Sequence, residues 1–222
     1  MSGPFDGMRI VVSAGPTFED IDPARFLGNR SSGKMGFAIA AVAAQRGAEV
    51  VLVAGPVHLP TPEDVRRVDV RSAAQMHRAV LDALPCDIYI GAAAVADFTP
   101  RAPLHRKLKK QPGQDVLVLE LVKTRDILAE VAAHPQRPAR VIGFAAETND
   151  VAAYARSKLE RKGLDLICAN QVGLPGCGFE SDDNALLVID ANGERPLGPA
   201  PKPVLAAQLL DLIDAHLHGG KP

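Results

Sequence analysis

Short runs of Val and Ile recur along the chain with longer amphipathic stretches between them, and this alternation constrains the fold more than any other feature. A strand that is apolar throughout must be covered on both faces, and the intervening stretches have the length and pattern of the covering helices. The pattern predicts an α/β fold: Rossmann-like, a mostly parallel sheet with helices on both faces, plus a C-terminal hairpin and helix. Strands are expected over residues 9–14, 49–54, near Val68, 87–95, 116–122, 140–145 and 165–169. A hairpin follows from 185–190, turning at Asn192-Gly193. Helices are expected over 35–46, stopped by Gly47, from a Ser72 cap toward residue 84, over 124–134, over 151–162 ending at Gly163, and over 203–216. The stretch from Gly15-Pro16 to Lys34 reads as irregular. Residues 99–111, with Arg101, His105, Arg106, Lys107, Lys109, Lys110 and two prolines, are too polar for a core. No repeat or linker divides the chain, so residues 1–222 are expected to form a single domain.

Composition narrows the function. A formal net charge of -1 leaves no basic excess to neutralise a nucleic-acid backbone, while a free nucleotide needs only a few local cations. Cys86, Cys168 and Cys177 cannot all pair and form no C-x-x-C motif, which fits a reducing cytoplasm. The opening residues lack the basic start and apolar run of a signal peptide, and no apolar stretch approaches the roughly 20 residues of a membrane span, so the chain is expected to be cytoplasmic.

Gly28-Asn29-Arg30-Ser31-Ser32-Gly33-Lys34-Met35 matches the spacing of a phosphate-binding P-loop. Met35 stands where a P-loop has Ser or Thr for Mg²⁺, however, and the motif begins well past the strand's end at residue 14. Its physical content survives: Ser31, Ser32 and Gly33 at a helix N-terminus offer N–H groups, hydroxyls and a positive dipole end to an anion. The serines serve equally well as helix caps, and both readings stand. Ala14-Gly15-Pro16-Thr17 does not supply G-x-G-x-x-G, and no acidic residue ends the second strand, which disfavours a dinucleotide oxidoreductase. Nor can a Ser-His-Asp set, a Cys-His set or a metal-ligand cluster be picked out, because the six histidines show no partner in sequence.

Gly91, Ala92, Ala93 and Ala94 stand at the carboxyl end of a central strand, followed by Asp97 and Phe98; open α/β sheets bind ligands at that edge, and small side chains let a base or ribose approach the backbone. Lys107-Leu108-Lys109-Lys110, in a Pro-containing loop just beyond, reads as a solvated run or as a segment that closes over a triphosphate. Tyr154, Lys158 and Lys162 are spaced four apart and share a helix face. A nucleotide-binding module without catalysis remains an alternative on these features alone.

Six ordered blocks together resemble the synthetase half of the bacterial bifunctional phosphopantothenoylcysteine decarboxylase/synthetase, from about residue 9 to the C-terminus. They are Ser13-Ala14-Gly15-Pro16-Thr17, Asn29-Arg30-Ser31-Ser32-Gly33-Lys34-Met35-Gly36, Ala93-Ala94-Val95-Ala96-Asp97-Phe98, Lys107-Leu108-Lys109-Lys110, Gly143-Phe144-Ala145-Ala146-Glu147-Thr148 and Asp165-Leu166-Ile167-Cys168-Ala169-Asn170. The resemblance implies a ligase of coenzyme A biosynthesis that joins L-cysteine to 4'-phosphopantothenate through an acyl-cytidylate, using CTP with Mg²⁺. It implies Asn29 and Lys107 as catalytic residues. Nucleotide contacts carried over with it are Gly91, Ala92, Ala93, Asp97, the stretch Arg125, Asp126, Ile127 and Leu128, Phe144, Lys158 and Lys162, beside Lys107 itself. Asp97 is the candidate Mg²⁺ ligand. The resemblance also implies a homodimer in which the lysine-bearing loop reaches the neighbouring site, and association with a flavin-dependent decarboxylase, whose half has no counterpart in the few residues before the first strand.

Overall fold

The computed structural model of the chain describes residues 3–109, 112–113, 115–147, 149–171 and 181–218. Cys177, Lys110 and Thr148 therefore lie outside the described residues. Six parallel strands make most of one sheet: β1 (Arg9–Ala14), β4 (Glu49–Ala54), β5 (Val65–Asp69), β6 (Ile88–Gly91), β9 (Arg140–Glu147) and β10 (Leu166–Gln171). The hairpin β11 (Asp183–Asp190) and β12 (Gly193–Pro201) adds two antiparallel strands, giving the order β12-β11-β10-β9-β6-β1-β4-β5. Two small antiparallel pairs stand apart, β2 (Phe18–Asp22) with β3 (Arg25–Gly28) and β7 (Phe98–Pro100) with β8 (Leu121–Lys123).

Helices α1 (Lys34–Gln45) and α5 (Lys202–His218) cover one face of the sheet; α2 (Ala73–Asp82), α3 (Ile127–Ala132) and α4 (Val151–Lys162) cover the other. The period-2 alternation of β1 explains the two layers: Ile10 and Val12 pack with α1 and α5, Val11 with α2 and α3, and all three are fully buried. Each such side chain is worth roughly 1.5–3 kcal/mol in apolar burial. Ser72 caps α2 as expected, its hydroxyl accepting from the Gln75 N–H while the Gln75 side chain closes a capping box.

Four expectations are corrected. The stretch read as irregular contains the β2–β3 hairpin, held by stacked Phe18 and Phe26 rings 3.9 Å apart. The strand expected over 87–95 ends at Gly91; beyond it the Ala92 N–H still donates to the Ser13 carbonyl, and Ala94 forms an isolated bridge with Pro16. The strand expected over 116–122 shrinks to β8, because residues 116–118 meet no sheet and stay exposed. The helix expected over 124–134 shortens to α3, since Asp126 caps it by accepting from the Ala129 N–H.

Candidate active site

From β1 the chain moves one way to β4 and β5 and then returns to place β6, β9 and β10 on the opposite side, so the topological switch point lies between β1 and β6. Open α/β sheets bind ligands in the crevice at the carboxyl ends of such a strand pair. Two cavities open there, of about 460 and about 130 Å³. They lie on either side of residues 92–94, and Ala93 lines both. The backbone of that ridge is fixed: the Ala92 and Ala94 N–H groups donate to the carbonyls of Ser13 (3.0 Å) and Gly15 (2.9 Å).

The larger cavity is cationic, with Lys123, Arg125, Lys158, Arg161 and Lys162 against the carboxylates of Asp97 and Asp126. Its wall exists because two strands lack side chains. Gly91 and Gly143 are register partners, and a Cβ at either would meet the side chain of Leu128 or Leu164 at 2.8 Å. Leu128 therefore seats α3 directly on the sheet and brings residues 125–128 to the cavity. Lys162 donates to Asp126 at 2.8 Å with only 14% of its side chain exposed. Burial pushes the Asp126 carboxyl up, but hydrogen bonds from Lys162 and the Ala129 N–H outweigh it, leaving the group below its ordinary value. Lys158 donates to the Phe144 carbonyl at 2.9 Å. The lysine stripe thus faces a cavity. Beneath it, Ser13 and Tyr89, each 1% exposed, share a hydrogen bond of 3.0 Å, and burial pushes the phenol pKa upward, so the floor is neutral and polar.

The smaller cavity lies at the N-terminus of α1 and is lined by Ser31, Ser32, Gly33, Ala92 and Phe144, together with buried Asn170, Asn184 and Lys202. Gly33 is the helix N-cap at φ 76 and ψ -12, a left-handed conformation that suits glycine, and no side chain caps the helix. Ser31 accepts from the Gly33 N–H at 3.3 Å instead of capping the first turn. The N-terminal N–H groups of α1 therefore face this cavity without a side-chain cap.

Asn29 donates from its side-chain amide to the Ala94 carbonyl at 3.0 Å, which ties it to the ridge between the cavities. Asp97 and Phe98 edge the larger cavity, both exposed. Lys107 is the one expected residue that the fold keeps apart. It is exposed, lines neither cavity, and stands on the arm between β7 and β8, of which residues 101–109, 112–113 and 115–120 are described.

Sequence reasoning missed Ser13, Tyr89, Lys123, Thr124 and Arg161 in the larger cavity and Lys34, Asn170, Asn184 and Lys202 in the smaller. A phenol inside an apolar strand was the available signal for Tyr89. Two histidines do find partners brought from distant elements, His77 with Glu130 and His216 with Asp190, each at 2.7 Å, but neither lines either of the two cavities at the switch point. Burial pushes the Cys86 thiol up to about 12, which disfavours the nucleophilic thiolate.

A mostly parallel α/β sheet with paired cavities at its switch point defines a ligand-binding protein of the open, Rossmann-like class. The chain belongs to the family described as DNA/pantothenate metabolism flavoprotein C-terminal domain, matched over residues 5–217. Among its relatives is the coenzyme A biosynthesis bifunctional protein CoaBC of Vibrio cholerae, 51% identical over 208 residues, or 93% of this chain and 52% of the relative. The chain thus spans about half the length of the curated relatives it matches. The crystal structure of a CoaBC C-terminal domain superposes with a TM-score of 0.83 at 38% identity, covering 99% of this chain and 100% of that one. A structure of Cab2 in complex with phosphopantothenate-cysteine shares the fold at 13% identity and a TM-score of 0.75, covering 94% of this chain and 87% of that one. No helix among the described residues is long and apolar enough to cross a membrane.

Proposed function

We propose that residues 1–222 form a single phosphopantothenoylcysteine synthetase domain, a cytoplasmic ligase of coenzyme A biosynthesis that joins L-cysteine to 4'-phosphopantothenate and converts CTP to CMP and pyrophosphate. The observation that carries this reading is the pair of cavities meeting at residues 92–94, with Asn29 on the ridge between them. A carboxylate and an α-phosphate must meet for this reaction, and two cavities sharing one lip let each substrate keep its own pocket until they do. The names of the relatives support the pathway, and the ligand of the Cab2 structure is the product of this reaction. The preference for CTP follows the likeness to the bacterial bifunctional relatives.

In the first step a carboxylate oxygen of phosphopantothenate attacks the α-phosphorus, the bond to the β-phosphate oxygen breaks, and pyrophosphate leaves. Cysteine's amine then adds to the acyl carbonyl, loses a proton, and expels CMP, which keeps the former carboxylate oxygen. Lys158, Lys162 and residues 125–128 hold the nucleotide in the larger cavity, whose excess of cations suits phosphates. Ser31, Ser32 and the open end of α1 receive anionic groups on the other side. An amide carries two N–H groups; Asn29 uses one on Ala94 and offers the other to the oxygen that gains charge. Asp97 on the cavity edge would supply an oxygen to Mg²⁺, which when bound with the triphosphate would neutralise phosphate charge and needs only one or two carboxylates beside the phosphates; no cluster of three His, Cys, Asp or Glu that could hold a metal occurs among the described residues.

Lys107 acts at the site of a second copy. The arm that bears it exposes three successive apolar residues, Val116 (71%), Leu117 (48%) and Val118 (84%), a surface that a partner subunit would cover. The bifunctional relatives support association with a flavin-dependent decarboxylase. The test follows an oxygen atom. With phosphopantothenate labelled by ¹⁸O in its carboxylate, one labelled oxygen passes into CMP; label retained wholly in the amide product and water would exclude the acyl-cytidylate.

A further inference from the structure

The β2–β3 hairpin carries a carboxylate that neither cavity uses. Asp22 is 2% exposed, and its two oxygens divide their partners. Oδ1 accepts the backbone N–H groups of Ala24 (2.7 Å) and Arg25 (2.9 Å) and so closes the turn between the strands. Oδ2 accepts from the Arg25 guanidinium (2.7 Å) and from the backbone N–H of Leu108 (3.0 Å), far along the chain. Arg25 in turn donates to the Leu108 carbonyl at 3.4 Å. One ion pair therefore grips both polar groups of the Leu108 backbone. A second point of contact lies nearby, where the Leu104 N–H donates to the Ile21 carbonyl at 2.9 Å. The Leu108 N–H is also the largest cause holding the Asp22 carboxyl below its ordinary range, as expected where a charged acceptor meets a fixed donor.

We infer that Asp22, together with Arg25, is a positioning residue for Lys107: it fixes the residue that follows the lysine, so that the base of the arm leaves the hairpin at one set place. This inference rests on the catalytic reading of Lys107. A long, charged side chain loses rotamer freedom when it engages a phosphate, and a backbone already held beside it leaves less to be ordered in the transition state. Positioning is separable from folding because the two oxygens have different tasks. In Asp22→Asn the amide oxygen keeps the Oδ1 role in the turn, while the NH₂ group in the Oδ2 place cannot accept from Leu108 and repels Arg25.

The experiment compares the full chain, Asp22→Asn, Lys107→Gln and the double variant in steady-state turnover with CTP, phosphopantothenate and cysteine. Thermal midpoints and the rate of trypsin nicking within residues 106–109 are measured alongside. Asp22→Asn is expected to lower kcat about tenfold with KM for CTP near its original value, because displacement of a positioning element acts on the transition state. It should add nothing in the Lys107→Gln background and should make nicking several-fold faster. Equal proportional losses in both backgrounds, or unchanged kcat with unchanged nicking, would overturn the inference. Should the thermal midpoint of Asp22→Asn collapse, Leu108→Pro deletes the same N–H from the arm's side and is held to the same turnover criterion. Full turnover by Lys107→Gln would overturn the reading of the lysine and the positioning role with it; faster nicking of Asp22→Asn would still show that the clamp holds the arm.

Discussion

At the carboxyl edge of the sheet, Lys158 and Lys162 are held by hydrogen bonds of 2.9 and 2.8 Å to Phe144 and Asp126, whereas Lys107 stands exposed on an arm that also exposes Val116 and Val118. The edge carries Lys158 and Lys162 on α4, with their amines already held by the Phe144 carbonyl and by Asp126 at the start of α3, so their cost of ordering is met when the chain folds. The arm has spent little of its apolar surface on this subunit's core. Groups that hold a ligand in both ground and transition states belong on the rigid edge, and a group that engages as the site closes belongs on the arm.

The largest effect should come from the ridge that joins the two regions. Asn29→Asp is expected to lower kcat by roughly 100- to 1,000-fold, the range for losing one preorganised donor, while CTP still binds by titration calorimetry. Turnover near that of the unaltered protein would remove Asn29 from the chemistry and leave the ridge a mere divider. Next comes the arm: Lys107→Gln should depress kcat about tenfold or more and leave KM for CTP nearly unchanged. A rise in KM alone would place Lys107 with the edge lysines and erase the contrast.

For the edge itself, Lys158→Met and Lys162→Met should each raise KM for CTP about tenfold with a smaller change in kcat, as loss of uniform binding does. Lys162→Met also has a stability signature. The Asp126 pKa is lowered in the folded protein, so the unfolded chain takes up the proton first. The stabilisation by Lys162 is therefore complete above the ordinary carboxylate range, and the advantage of the unaltered protein over Lys162→Met in urea should shrink as pH falls below about 4. An advantage independent of acid would mean that the ion pair does not hold the edge. The smallest effect concerns the arm's apolar run: Val116→Ser with Val118→Ser should weaken dimerisation several-fold in sedimentation while the thermal midpoint of the dilute protein stays put, because these side chains pack against little of their own subunit.

The contrast also explains what could be read from the amino acids alone. The sheet was legible because β1 and β4 are fully buried apolar runs between helices, where local pattern and tertiary burial agree, and both strands fall where expected. The β2–β3 hairpin was not, because its strands hold Glu19, Asp20, Asp22 and Arg25 in place of an apolar alternation. Its order comes from the Phe18–Phe26 stack under the guanidinium of Arg71, which Asp20 fixes from afar in sequence. Residues 116–118 misled for the opposite reason, being strand-like yet exposed on the arm. In the site, the four-residue spacing of Lys158 and Lys162 was enough to place them together. The division of the expected contacts between two cavities was not visible, since it depends on which side of residues 92–94 each helix lies.

The most direct test of the account is pyrophosphate release by the purified protein supplied with 4'-phosphopantothenate, L-cysteine and Mg²⁺, comparing CTP with ATP, UTP and GTP. The account predicts release that requires phosphopantothenate and is fastest with CTP. A folded, dimeric protein that consumes no nucleotide under these conditions would contradict it.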